Sequence, residues 1–135
     1  MTRAARYAYL VLAWGFLVGI AVQVFLIGLV LFGNSDAVAH RTLGWILHLV
    51  PIVILLAAWL SRAGRRHWQW ALALAAVVFV VPILATIKGT PAIAALHPVG
   101  ALAIFALAIV VARNSLDAVR EADAPGDAAP GSAAA

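Results

Sequence analysis

Four stretches of this chain carry no charged side chain: between Arg6 and Asp36, between Arg41 and Arg62, between Arg66 and Lys88, and between Lys88 and Arg113. Each holds an apolar segment of about 20 residues or more, enough to cross a hydrocarbon core of about 30 Å as a helix rising about 1.5 Å per residue. Composition agrees. The chain is 66% hydrophobic and 10% charged, whereas roughly a quarter of an ordinary soluble domain is charged. A soluble fold of 135 residues could not hide that much apolar surface, so the bilayer is the natural solvent and first partner. The expected fold is all-α: a polytopic membrane four-helix bundle, with spans at about 7–32, 37–60, 68–87 and 91–112. A signal peptide is the competing reading of the first span, and a spanning helix is expected instead. The apolar core of a signal peptide would be about 7–15 residues and a small-residue cleavage motif would follow, whereas here three more apolar segments follow.

Local signals place the ends of these helices. Gly33-Asn34-Ser35-Asp36 reads as a turn, with Ser35 or Asp36 capping the second helix. Pro51 is expected to kink that helix and free the carbonyl of Leu47. Arg62, Arg65 and Arg66 make a basic loop in which His67 is expected to be solvated, and Trp68 and Trp70 mark an interface. Pro82 is a second kink position, and Lys88 can snorkel to the headgroups. Thr90 and Pro91 read as the cap and first residue of the fourth helix. Pro98 either kinks that helix or marks its beginning, and the sequence does not decide between these. Residues 1–113 therefore form the membrane domain. Asn114 to Ala122 can continue the last helix, but residues 114–135 as a whole read as a mostly disordered cytoplasmic tail of Ala, Asp, Pro, Gly and Ser character.

Orientation follows from the basic residues. With both termini inside, Arg3, Arg6, Arg62, Arg65, Arg66, Arg113 and Arg120 lie on the cytoplasmic side, and Arg41 and Lys88 alone lie outside. The formal charge of +4 is set by these flanking residues and does not point to nucleic acid. The chain has no cysteine, which excludes disulfides, iron–sulfur clusters, thiolate zinc sites and cysteine nucleophiles. No acidic residue lies inside a span, and no phosphate loop, zincin motif or Ser-His-Asp arrangement is present. Hydrolase, nucleotide-driven and carboxylate-relay chemistries are therefore disfavoured.

Two motifs remain. Ala39-His40-Arg41-Thr42-Leu43-Gly44 and Leu96-His97-Pro98-Val99-Gly100 each put a histidine near the start of an apolar helix, with a glycine three or four residues later. The halves resemble each other loosely, as two repeated helical hairpins would, paired about an axis along the membrane normal. That axis sets the second and fourth helices beside or across from each other. Imidazole is a strong haem ligand, and two histidines on such helices suit its two axial positions. Gly44 and Gly100 would leave room for the macrocycle, and Arg41 could pair with a propionate. The competing reading makes both histidines interfacial residues bonding backbone, water or lipid headgroups. Gln23 and His48 are the polar groups expected in the interior. Gln23 reads as packing glue between helices. His48 reads as a hydrogen-bonding partner of Gln23 or of the Leu47 carbonyl, or else as a second ligand or proton acceptor.

Gln23-Val24-Phe25-Leu26-Ile27-Gly28, Ala39-His40-Arg41-Thr42-Leu43-Gly44 and Ala95-Leu96-His97-Pro98-Val99 resemble a family of small, uncharacterised bacterial four-span membrane proteins, over about residues 7 to 113. That resemblance implies the architecture and a bacterial cytoplasmic (inner) membrane location, and no activity. The same pattern is similar to one half of haem A synthase, a four-helix bundle with a histidine on its second and fourth helices. Carried over, it makes His40 and His97 the axial ligands. The chain has one such bundle and no counterpart of the acidic residue associated with catalysis there, so the resemblance implies at most a b-type haem site. The expectation is a non-enzymatic haem b-binding, electron-transferring membrane protein with a membrane redox partner. The alternative is an accessory or structural subunit without cofactor, packing through its small-residue faces on another protein or on a second copy.

Overall fold

The computed structural model describes residues 2–33, 35–87 and 89–123. Five helices follow one another: α1 (Thr2–Phe32), α2 (Val38–Leu60), α3 (Arg65–Leu84), a single turn α4 (Pro91–Ala94) and α5 (Leu96–Asp123). No strand occurs among the described residues. Four segments are long and apolar enough to cross a membrane: α1, α2, α3, and α4 with α5. The fold is thus the all-α four-helix bundle expected from the apolar stretches.

α1 packs on α2 and α5, and α3 packs on the same two helices. The helices therefore form a ring with α2 and α5 across the diagonal, so the second and fourth spans lie opposite each other and not side by side. One end of the bundle carries His40 and His97. The other carries Arg6, Arg62, Arg65, Arg66, Arg113 and Arg120. We call these the histidine end and the basic end.

Buried positions recur every three or four residues on each helix: Tyr9, Ala13 and Phe16 on α1, and Leu47, Pro51, Ile54 and Ala58 on α2. The same spacing gives Ala71, Leu74, Val78 and Val81 on α3, and Ile104, Ala108, Val111, Ser115 and Ala118 on α5. This is the stripe a helix presents to a bundle interior. Many of these residues are alanines. In hydrocarbon, apolar contact does not by itself drive helices together, so small residues that let backbones approach supply the packing. Outward positions are apolar too, including Phe32, Trp45 and Leu102 at 94%, 75% and 70% exposure. Such a surface suits lipid and would be costly in water. The core is concentrated toward the basic end. Among the described residues, α1 beyond Phe16, α2 before Leu47 and α5 before Ile104 bury no residue fully.

Helix ends differ in part from expectation. Asp36 does serve the start of α2, its carboxylate accepting the Val38 backbone N–H at 2.9 Å. α2 continues through Pro51, and α3 runs through Pro82 and ends at Leu84. Pro91 opens α4 behind Thr90, which caps through its carbonyl and not through its side chain. Pro98 lies in the first turn of α5, where a missing N–H leaves no helical bond unmade. Its effect is to let a new helix begin at Leu96 instead of kinking one that began at Pro91. α3 starts at Arg65, three residues before the expected span, because Arg62 and Gly64 take positive φ values of 51° and 109° and turn the chain tightly. The Ser61 hydroxyl holds this turn, donating to the Ala58 carbonyl at 2.6 Å and accepting the Ala63 N–H at 3.3 Å.

The last helix continues past Arg113, as Asn114 to Ala122 allowed, and takes in Asp123 as well. α5 is helical to Asp123, and Asn114, Ser115 and Ala118 are buried. Arg6 explains the extension: its guanidinium donates to the Ala118 carbonyl at 2.7 Å and to the Ser61 carbonyl at 3.2 Å, tying α1 to α5 and to the end of α2. Asp123 receives bonds from Arg3 at 2.8 Å and Tyr7 at 3.1 Å. The disorder expected of residues 124–135 falls outside the described residues.

Candidate functional site

His40 sits in the first turn of α2 and is half-buried. Its Nδ1 lies 3.2 Å from the backbone carbonyl oxygen of Gln23 on α1. His97 sits at the start of α5, also half-buried, with its Nδ1 3.1 Å from the carbonyl oxygen of Val81 on α3. A carbonyl oxygen only accepts, so in both rings Nδ1 is the donor. In the neutral imidazole this puts the single proton on Nδ1 and leaves the Nε2 lone pair open to a proton or a metal. Backbone carbonyls orient ligating histidines in the same way in metal sites, by holding the other ring nitrogen.

The two glycines complete the correspondence. A Cβ placed on Gly44 would meet the Gln23 Nε2 at 2.9 Å, and a Cβ on Gly100 would meet the Val81 Cγ2 at 2.5 Å. In each hairpin, then, one residue of the first helix uses its carbonyl to accept from the histidine and its side chain to fill the space over the glycine. The room left by Gly44 and Gly100 is occupied by these neighbours. Val81 lies in the last turn of α3, where carbonyls lack an intrahelical donor, so His97 satisfies a group the helix leaves open. Gln23 lies inside α1, and His40 uses the second lone pair of a carbonyl already in the helix.

The remaining candidates are placed as follows. Arg41 is exposed beside His40 and joins no ion pair among the described residues. The Gln23 amide is aimed at Gly44, and its Oε1 is buried without a hydrogen-bond partner. His48 is half-buried, with its ring centroid 4.3 Å from that of Phe79 on α3 and 6.0 Å from that of Trp45. Both contacts are edge-on. Ring packing thus takes the place of the hydrogen bond expected to Gln23 or to the Leu47 carbonyl. Among the described residues no group of three or more histidine, cysteine or carboxylate side chains converges as a metal cage. Any metal at the histidine end would depend on the imidazole pair.

His67 corrects the reading of the basic loop. It is not solvated: it is 6% exposed, its ring stands edge-on to Tyr9 at 6.3 Å, and its Nδ1 is buried without a partner. The reason is tertiary. The earlier start of α3 makes His67 a helical residue, and α1 covers it. Nearby, Asn114 is 3% exposed and its Nδ2 is likewise unpartnered. The sequence held one signal for this: both residues fall on the buried stripe once α3 is extended to Arg65 and α5 to Asp123.

No curated protein and no solved structure matches the chain. Residues 23–87 match the model of a family of unknown function (DUF6220), so the similarity takes in Gln23, His40, Gly44, His48, His67 and Val81 and stops short of His97 and Gly100.

Proposed function

We propose that this chain is a non-enzymatic membrane protein that binds b-type haem, with His40 and His97 as axial ligands through Nε2. The observation that carries this reading is the paired anchoring of Nδ1 on the Gln23 and Val81 carbonyls. It fixes both rings in the tautomer a haem iron requires and holds them on diagonally opposed helices at one end of the bundle. The donor set therefore fits the group. The same half of the bundle is the one in which α1, α2 and α5 bury no residue fully. Arg41, exposed one residue from His40, would pair with a propionate. His40 and His97 would hold the haem, which would supply one-electron chemistry there. What the chain contributes is orientation of two imidazoles, a low-dielectric surround and exclusion of water. The partner is then a membrane redox protein.

Location belongs to the same proposal. Among the described residues seven arginines lie at the basic end or on the segments leading into it, against Arg41 at the other. By the positive-inside rule the basic end and both termini face the cytoplasm, in the inner membrane of a bacterium.

A second reading is favoured by the glycines. Gln23 and Val81 already fill the space over Gly44 and Gly100. The two histidine bonds could therefore serve only to pin each hairpin, in a cofactor-free accessory subunit that docks on another protein or on a second copy. A reduced-minus-oxidised absorption spectrum of chain expressed with ample haem separates the two. Sharp haem bands, lost in both His40→Ala and His97→Ala, support the cytochrome reading. A featureless spectrum from folded protein leaves the accessory subunit.

A further inference from the structure

The basic end holds a feature that neither reading uses. A cleft of about 520 Å³ lies between the first turn of α3 and the second half of α5, lined by Arg66, Val110, Arg113, Asn114, Leu116, Asp117 and Arg120. Three guanidinium groups face one carboxylate there. The carboxylate, Asp117, is 3.7 Å from Arg120 in an exposed pair along the helix, a contact worth little and easily exchanged. Arg66 and Arg113 are exposed and join no ion pair among the described residues. Among the described residues the surplus of positive charge thus has no counterion.

Asn114 is the second and independent observation. It lines the same cleft, is 3% exposed, and its Nδ2 is buried with no hydrogen-bond partner. A buried amide donor without an acceptor costs free energy unless something supplies that acceptor. Every unsatisfied feature of the cleft asks for the same thing: an anion with several acceptor oxygens. Phosphate answers both needs, since guanidinium forks bond it bidentately and a neutral amide can take a further oxygen. A carboxylate would offer fewer acceptors to three arginines.

We propose that the cleft formed by Arg66, Arg113, Arg120 and the buried Asn114 amide is a phosphate-binding site. It lies where the charge-free run of the fourth span ends, at Arg113, so the phosphate of a phospholipid headgroup can reach it as readily as a free phosphate compound. Basic pockets between spanning helices hold acidic headgroups by this chemistry.

The test uses the full chain in a neutral detergent. Intrinsic tryptophan fluorescence is followed on titration with short-chain phosphatidylglycerol in one arm and inorganic phosphate in the other. Saturable binding of the lipid alone identifies a headgroup site, and saturable binding of inorganic phosphate identifies a site for free phosphate compounds. In either case the double variant Arg113→Gln/Arg120→Gln is expected to bind about thirtyfold more weakly. Both side chains are exposed, so this variant keeps the fold. Asn114→Leu should weaken binding in the same direction, and Arg65→Gln, which removes one charge outside the cleft, should not. The proposal is overturned if neither probe saturates, if the double variant binds as the wild type does, or if Arg65→Gln weakens binding as much as the loss of a cleft arginine.

Discussion

His97 is anchored on Val81: the imidazole Nδ1 donates to the Val81 carbonyl at 3.1 Å, and the Val81 side chain lies over Gly100, one turn beyond His97. His40 and Gln23 repeat the arrangement in the other hairpin, at 3.2 Å and over Gly44. The correspondence is one of geometry more than of sequence, since Gln and Val share only the backbone group that accepts.

The tautomer can be read directly. The nitrogen-15 shifts of the two rings in their neutral form, in the haem-free chain, should show the proton on Nδ1 in both His40 and His97. A proton found on Nε2, with Nδ1 bare, would contradict the bonds to Gln23 and Val81 and remove the basis for axial ligation.

The two glycines should respond differently to alanine. At Gly100 the new methyl would lie 2.5 Å and 2.9 Å from the two Val81 methyls, a β-branched group with little freedom. Gly100→Ala is expected to cost about 1–3 kcal/mol as an overpacking change. At Gly44 the obstacle is the far end of a flexible Gln23 side chain. There the gain in helix propensity, roughly 1 kcal/mol, should offset the shift. Denaturant unfolding in micelles checks this. Val81→Ala should recover most of the Gly100→Ala loss, and equal costs at both glycines would refute the assignment.

His67 is buried with an orphan ring nitrogen. Replacing it with phenylalanine keeps a ring against Tyr9 and removes the unsatisfied group. The change should be neutral or stabilising by up to about 1–2 kcal/mol, because an unpaired buried polar atom carries its desolvation cost with no compensating bond. A loss of several kcal/mol in the same unfolding assay would mean that His67 has a partner the fold depends on.

Arg6 clamps three helices through the Ser61 and Ala118 carbonyls. Its charge also sits favourably against the carbonyl-rich ends of α2 and α5. Arg6→Ala should cost about 1.5–3 kcal/mol, the range for hydrogen bonds to a charged group. It should also raise amide exchange in the last turns of α5. Arg6→Lys should recover little, since one ammonium cannot reproduce the guanidinium fork spanning two carbonyls. Unchanged exchange from Asn114 to Asp123 would show that the extension of α5 is held by something else.

The sequence by itself determined the number of spans, their order, the turns between them, and the placement of His40 and His97 at one end with most arginines at the other. These are local properties: apolar length, the absence of charge, and proline and glycine chemistry. Tertiary structure alone decided that α2 and α5 oppose each other, that His67 and Asn114 are buried, and that Gln23 and Val81 fill the glycine spaces. Each of these depends on what a neighbouring helix presents across a gap of a few ångströms. His67 looked solvated because arginines flank it in sequence, yet burial is set by Tyr9, which lies far away in the chain and directly against it in space.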